Sequence, residues 1–143
     1  MSRAPLRPRS DYRVWRSITT RWRDNDAYGH VNNAVYYGWF DTAVNAWLIE
    51  AGLLDVAQSD PIGLVVETGC QYAASVAFPQ VLAIGLSVTK IGTSSVTYRL
   101  GVFPEAAPTA AAEGFFTHVY VDRQTRRPVP IPLEWRAKLQ EMI

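Results

Sequence analysis

The sequence predicts an α+β fold in which an antiparallel sheet wraps round one long central helix. Three observations carry that expectation. A single stretch, Ala34 to Ala51, has no proline and no β-branched cluster, and it is apolar round most of its circumference. Five other stretches are rich in β-branched and aromatic residues, as strands are. The helix comes early and the strands then follow one another, which is not the strand–helix alternation of a doubly wound parallel sheet. At 143 residues the chain is expected to form one domain, over 11–143.

Taken in order, residues 1–10 are rich in arginine and proline and are expected to be a flexible arm. Tyr12 to Arg23 reads as a strand, with Val14, Ile18 and Trp22 on one face. D-N-D-A-Y-G-H-V-N-N, residues 24–33, is an irregular turn, and Asn32 or Asn33 is placed to cap the helix that follows. That helix, Ala34 to Ala51, stops at Gly52. Its apolar residues, among them Trp39, Phe40, Trp47, Leu48 and Ile49, leave it buried on most sides. Strands are expected at Ile62–Tyr72, Val81–Ile91, Ser95–Phe103 and Ala111–Asp122, in antiparallel succession, with Gly92 to Ser94 closing a hairpin. The P-V-P-I-P run at 128–132 must be extended, and Leu133–Ile143 closes the chain as a short amphipathic helix.

Charge and composition exclude several functions. With 14 Lys and Arg against 13 Asp and Glu, the net charge of +1 gives no field for nucleic acid or anionic lipid. One cysteine, Cys70, makes no internal disulfide, and with only His30 and His118 beside it there is no zinc cage. No apolar run is long enough to span a membrane, and the start carries no secretory signal, so a cytoplasmic setting is expected. Phosphate-cradling glycine motifs and G-x-S-x-G are absent. Cys70 is expected to be a buried small residue, and His118 to have a structural place in its strand.

Chemistry concentrates in residues 21–37, R-W-R-D-N-D-A-Y-G-H-V-N-N-A-V-Y-Y. Two carboxylates, a histidine and two amides meet at a strand-to-helix junction. A helix start presents unpaired N–H groups and the positive end of the dipole, which bind an anion or polarise a carbonyl. A carboxylate just before them can serve as general base or as nucleophile; the plainer alternative is that these residues only cap turns.

This stretch resembles the signature of the hotdog-fold acyl-CoA thioesterases, the 4-hydroxybenzoyl-CoA thioesterase type. The resembling features are an aromatic strand end, D-x-D, a glycine, H-V-N-N and a long helix opening on aromatic residues. The hairpin V-T-K-I-G-T-S-S-V-T-Y (88–98) and the V-Y-V-D to P-I-P ending add weaker support, so the resemblance covers about Tyr12 to Leu139. It implies a hotdog fold, a thioester hydrolase, a homodimer or homotetramer with its sites at the dimer interface, and no metal or other cofactor. By position, Asp26 matches the catalytic carboxylate, and the backbone N–H near Asn33 matches the group that polarises the thioester carbonyl. His30 either orients Asp26 or a water, or fixes the turn; Asn32 and Tyr36 are candidates to touch substrate. Asp24 is expected to be structural, paired with Arg21 or Arg23.

The implied substrate is an acyl-CoA or acyl-carrier thioester. Its phosphates need local donors, for which Lys90, Gly92, Ser94 and Ser95 at the hairpin turn, and Arg126 with Arg127 in the basic turn, are the candidates. Asp41 and Asn45, four apart on the helix, are placed to bond across a dimer or to touch a polar acyl group. Two other readings share the fold: a hydratase or dehydratase of acyl thioesters, and a protein that binds acyl-CoA without turnover.

Overall fold

The computed structural model describes residues 5–143. Five strands, β1 (Val14–Thr19), β2 (Ile62–Tyr72), β3 (Val81–Ile91), β4 (Ser95–Pro104) and β5 (Ala112–Val121), form one sheet. Two helices, α1 (Val35–Glu50) and α2 (Leu133–Gln140), complete the chain, with short 3-10 turns at Arg9–Asp11 and Trp22–Asp24.

The spatial order is β1-β3-β4-β5-β2, antiparallel throughout. Only β3, β4 and β5 follow one another as expected. β2 crosses to the far side and pairs with β5, and its other edge is unpaired among the described residues. Alternate residues of each strand point at α1. Leu82, Ile84, Leu86 and Val88 of β3 and Val96, Tyr98, Leu100 and Val102 of β4 are all buried against Trp39, Phe40, Ala43, Val44 and Leu48 of the helix. Gly114 of β5 makes the closest approach possible, because a side chain there would collide with the Phe40 ring and the Gly69 carbonyl.

Several expectations need correction. β1 ends at Thr19, and Trp22, expected in that strand on one face with Val14 and Ile18, sits in the 3-10 turn with 75% of its surface exposed. α1 buries one face; Gly38, Asp41, Thr42, Ile49 and Glu50 lie on the other, in solvent. The cap residue is Ala34 rather than either asparagine, although the Asn32 carboxamide still accepts the Ala34 N–H at 2.9 Å from two residues earlier. Gly52 ends the helix at φ +78, where a side chain would be strained.

Of the arm expected at 1–10, residues 1–4 lie outside the described residues and the rest lies against the sheet. The Arg9 guanidinium sits 4.8 Å from the Phe103 ring and 5.1 Å from Trp15, and donates to the Ala107 and Pro104 carbonyls. Among the described residues no helix is long and apolar enough to cross a membrane.

Candidate active site

The loop between Trp22 and α1 folds on itself. Asn25 and Val31 form an antiparallel bridge, the Asp26 N–H donates to the His30 carbonyl at 2.8 Å, and the Gly29 N–H donates back to Asp26 at 3.2 Å. Gly29 takes φ +84, which this tight return requires and which glycine adopts without steric cost. The loop is then tied down: Val31 N–H to Val76, Asn32 N–H to Asp24, and Phe78 N–H to the Asn25 carboxamide.

Asp24 and Asp26 have different surroundings. Asp24 is buried. One carboxylate oxygen accepts the Arg21 backbone N–H at 2.8 Å and the other accepts two bonds from its guanidinium, at 3.1 and 2.8 Å. Burial pushes its acidity towards the neutral form, but the Arg21 hydrogen bonds and charge prevail and hold the carboxyl below its ordinary range. The expected structural pairing with Arg21 is therefore present.

The Asp26 carboxylate lines an open cleft of about 310 Å³, together with His30, Asn33, Tyr36, Tyr72 and the loop Ala73–Ser75. One of its oxygens accepts the Tyr28 N–H at 2.8 Å; the other lies 3.7 Å from His30 Nδ1. The His30 ring stacks on Tyr28, at 6.4 Å between centroids.

At the helix start, the N–H groups of Asn32, Ala34 and Val35 are taken, by Asp24, the Asn32 side chain and the Asn32 carbonyl. The Asn33 N–H has no hydrogen-bond partner among the described residues, and Asn33 borders the cleft. Asn33, with its unpaired backbone donor at the positive end of α1, therefore lines the same cleft as Asp26, whose second oxygen accepts no hydrogen bond and faces His30.

Tyr72, which the sequence reading did not single out, closes this arrangement. Its hydroxyl donates to the Asn33 carbonyl at 2.9 Å, and its ring meets Tyr36 edge-on at 4.9 Å. Strand alternation could have found it, since Tyr72 is the last inward residue of β2 and sits opposite Ala112. Asn32 acts on the helix start rather than in the cleft.

The expected phosphate donors lie elsewhere. The 92–94 turn shares its end of the sheet with Val119, Val121 and Ile62, whereas Tyr72 and the cleft share the opposite end with Val102 and Ala112. Ten strand residues separate the two ends, roughly 30 Å. Part of that turn is also occupied: Arg136 donates to the Gly92 and Thr93 carbonyls, Gly92 N–H to Ser95, and Tyr120 N–H to Ser94. Lys90, Arg126 and Arg127 are exposed. One chain therefore does not bring its candidate phosphate donors to Asp26.

Cys70 is half-buried, and burial pushes its thiol up to about 11, the wrong direction for a nucleophile. Asn45 bonds to Asp41 of its own helix, to both carbonyl and carboxylate at 2.9 Å. Among the described residues no cluster of side chains could hold a metal ion.

Residues 20–139 match the family model of the thioesterase-like superfamily, and the chain belongs to that family of thioester hydrolases, with its hotdog fold. Among solved structures, it resembles the PA5185 protein from Pseudomonas aeruginosa at 51% identity, covering 94% of each chain with a TM-score of 0.90. The PA2801 protein of the same organism is 28% identical over 87% of this chain and 96% of that one, with a TM-score of 0.81. A 1,4-dihydroxy-2-naphthoyl-CoA thioesterase from Synechocystis shares the fold, with a TM-score of 0.80 at 16% identity, covering 90% and 96% of the two chains. Among proteins of curated function, none matches the chain.

Proposed function

We propose that this enzyme hydrolyses an acyl thioester carried on coenzyme A or a carrier protein, with Asp26 and the Asn33 N–H as its reacting groups. The observation that carries the reading is that both residues line one cleft, with one oxygen of Asp26 free of hydrogen bonds and the N–H without a partner. The thioester carbonyl oxygen points at the Asn33 N–H and the helix start, which stabilise the negative charge as the carbon becomes tetrahedral. Asp26 acts on that carbon, either by attacking it to give a mixed anhydride that water then opens, or by taking a proton from the attacking water. The C–S bond breaks, the thiolate leaves and takes up a proton, and a carboxylic acid is released. His30, 3.7 Å from the carboxylate, positions Asp26.

A ligand that touches both Asp26 and the Lys90 and Arg126 cations needs a second copy of the chain. The free edge of β2, with Val65 and Val66 exposed on it, supports antiparallel pairing with the same edge of another copy. About a two-fold axis perpendicular to the sheet, the end of one β2 meets the start of the other. The cleft of one copy then lies beside the basic turns of its neighbour, as a phosphate-bearing substrate requires. The free thiol of Cys70 suits the reducing cytoplasm.

The decisive experiment is thiol release from a panel of aromatic, short and long acyl-CoA thioesters. Asp26→Ala is expected to keep less than a few per cent of wild-type turnover, about two orders of magnitude down. Retention of more than that, in a folded variant, overturns the assignment.

A further inference from the structure

A second cavity lies at the other end of α1 from the cleft. It measures about 60 Å³ and is walled by Asn45, Gly63, His118 and Tyr120 among apolar neighbours. Its polar walls are unusual. His118 keeps only 3% of its surface exposed, and its Nδ1 is buried with no hydrogen-bond partner among the described residues. The hydroxyls of Tyr120 and of its neighbour Tyr98, both buried, also miss hydrogen-bond geometry, although the two phenols lie close enough to perturb each other.

A buried donor or acceptor left unpaired is costly, and native interiors rarely keep several together. The imidazole packs edge-on against the rings of Tyr98 at 5.7 Å and Phe116 at 5.4 Å, and Asp41 is the one charge that acts on it. Burial keeps it neutral, so that it offers one donor and one acceptor. Gly63 leaves its face open; a methyl group at that position would come within 3.0 Å of His118 Nδ1. The site is thus built for a small group that both donates and accepts.

We infer that this cavity is the far end of the acyl pocket, and that His118 and Tyr120 select thioesters whose acyl group carries a hydroxyl or carbonyl at its distal end. The inference rests on the thioesterase reading and on the paired β2 edges. Ile62 and Gly63, which border the cavity, begin β2, and Tyr72, which borders the cleft, ends it. Antiparallel pairing sets the cavity of one copy beside the cleft of the other, so a single acyl group reaches from Asn33 into it.

The test compares acyl-CoA thioesters of equal length with and without a terminal hydroxyl, by thiol release. Wild-type kcat/KM is expected to favour the hydroxylated member by about tenfold or more, because a site with buried polar groups rejects an analogue that leaves them unpaired. His118→Leu should bring the ratio close to one, His118→Gln should restore part of it, and Tyr120→Phe should lower it severalfold. Should His118→Leu fail to fold, the Tyr120→Phe ratio decides. A flat ratio in the wild type, as expected of a cavity that holds only an ordered water, overturns the inference, as does a ratio unmoved by these variants. Absence of thiol release from every thioester overturns the thioesterase reading itself, and is distinguishable from a flat ratio.

Discussion

At the scale of single residues, the candidate site depends on which polar atoms are already occupied. Asp24 has both carboxylate oxygens committed to Arg21, whereas Asp26 retains one. Two aspartates one residue apart thus have opposite characters, and only the second is available to a substrate. Tyr72 holds the Asn33 peptide through one hydrogen bond, so Tyr72→Phe is expected to lower kcat about three- to tenfold with little change in KM, since one ordinary hydrogen bond contributes roughly 1 kcal/mol. Steady-state kinetics and an unchanged melting temperature would check it. His118 makes stability depend on pH. Burial lowers its pKa to about 4 from 6.5, with Asp41 opposing in part. The unfolded chain therefore binds the proton more readily between those values. The stabilisation is fully present above pH 6.5 and is lost as the pH falls towards 4, by up to about 3 kcal/mol at 1.36 kcal/mol per unit. Denaturant melts at pH 7 and pH 4.5 should show the loss, and His118→Leu should reduce it.

At the scale of elements, what could be read from the sequence was what is local. β2 and β3 begin and end at the residues expected, because alternation and turn residues mark both ends. Asp26 and Asn33 could be singled out as candidates for the same reason: eight positions of contiguous sequence carry both. The place of β2 was not, because strand pairing joins residues far apart in the chain, such as Ile62 with Val121. Tyr72 was missed with it, and the separation of Lys90 and Arg126 from the cleft followed from the same pairing. The solvent face of α1 was misread because an apolar helix surface does not say whether sheet or another copy covers it. The contact of α1 with β5 depends on Gly114, whose substitution by alanine would overpack Phe40. Gly114→Ala is expected to cost about 1–3 kcal/mol, seen as a lower denaturant midpoint at unchanged slope.

At the scale of the whole molecule, a site shared between copies has a stoichiometric signature. Asp26→Ala chains and Lys90→Ala/Arg126→Ala chains should each be weak alone on acyl-CoA. Mixed after unfolding and refolding together, they should regain activity, because each mixed dimer holds one site with Asp26 from one chain and both cations from the other. Mixtures no more active than the sum of their parts would refute the shared site. A different consequence follows from the self-closed loop at 25–31. Asp26 lies within that loop and Asn33 two residues beyond it, in one short run shaped largely by the Asn25–Val31 bridge and the Gly29 turn. The cavity proposed for the end of an acyl group is instead walled by β2, β5 and the last turns of α1, outside that run. Chemistry and substrate range are therefore heritable separately: the lining can drift under selection for a new acyl group while the reacting pair stays intact.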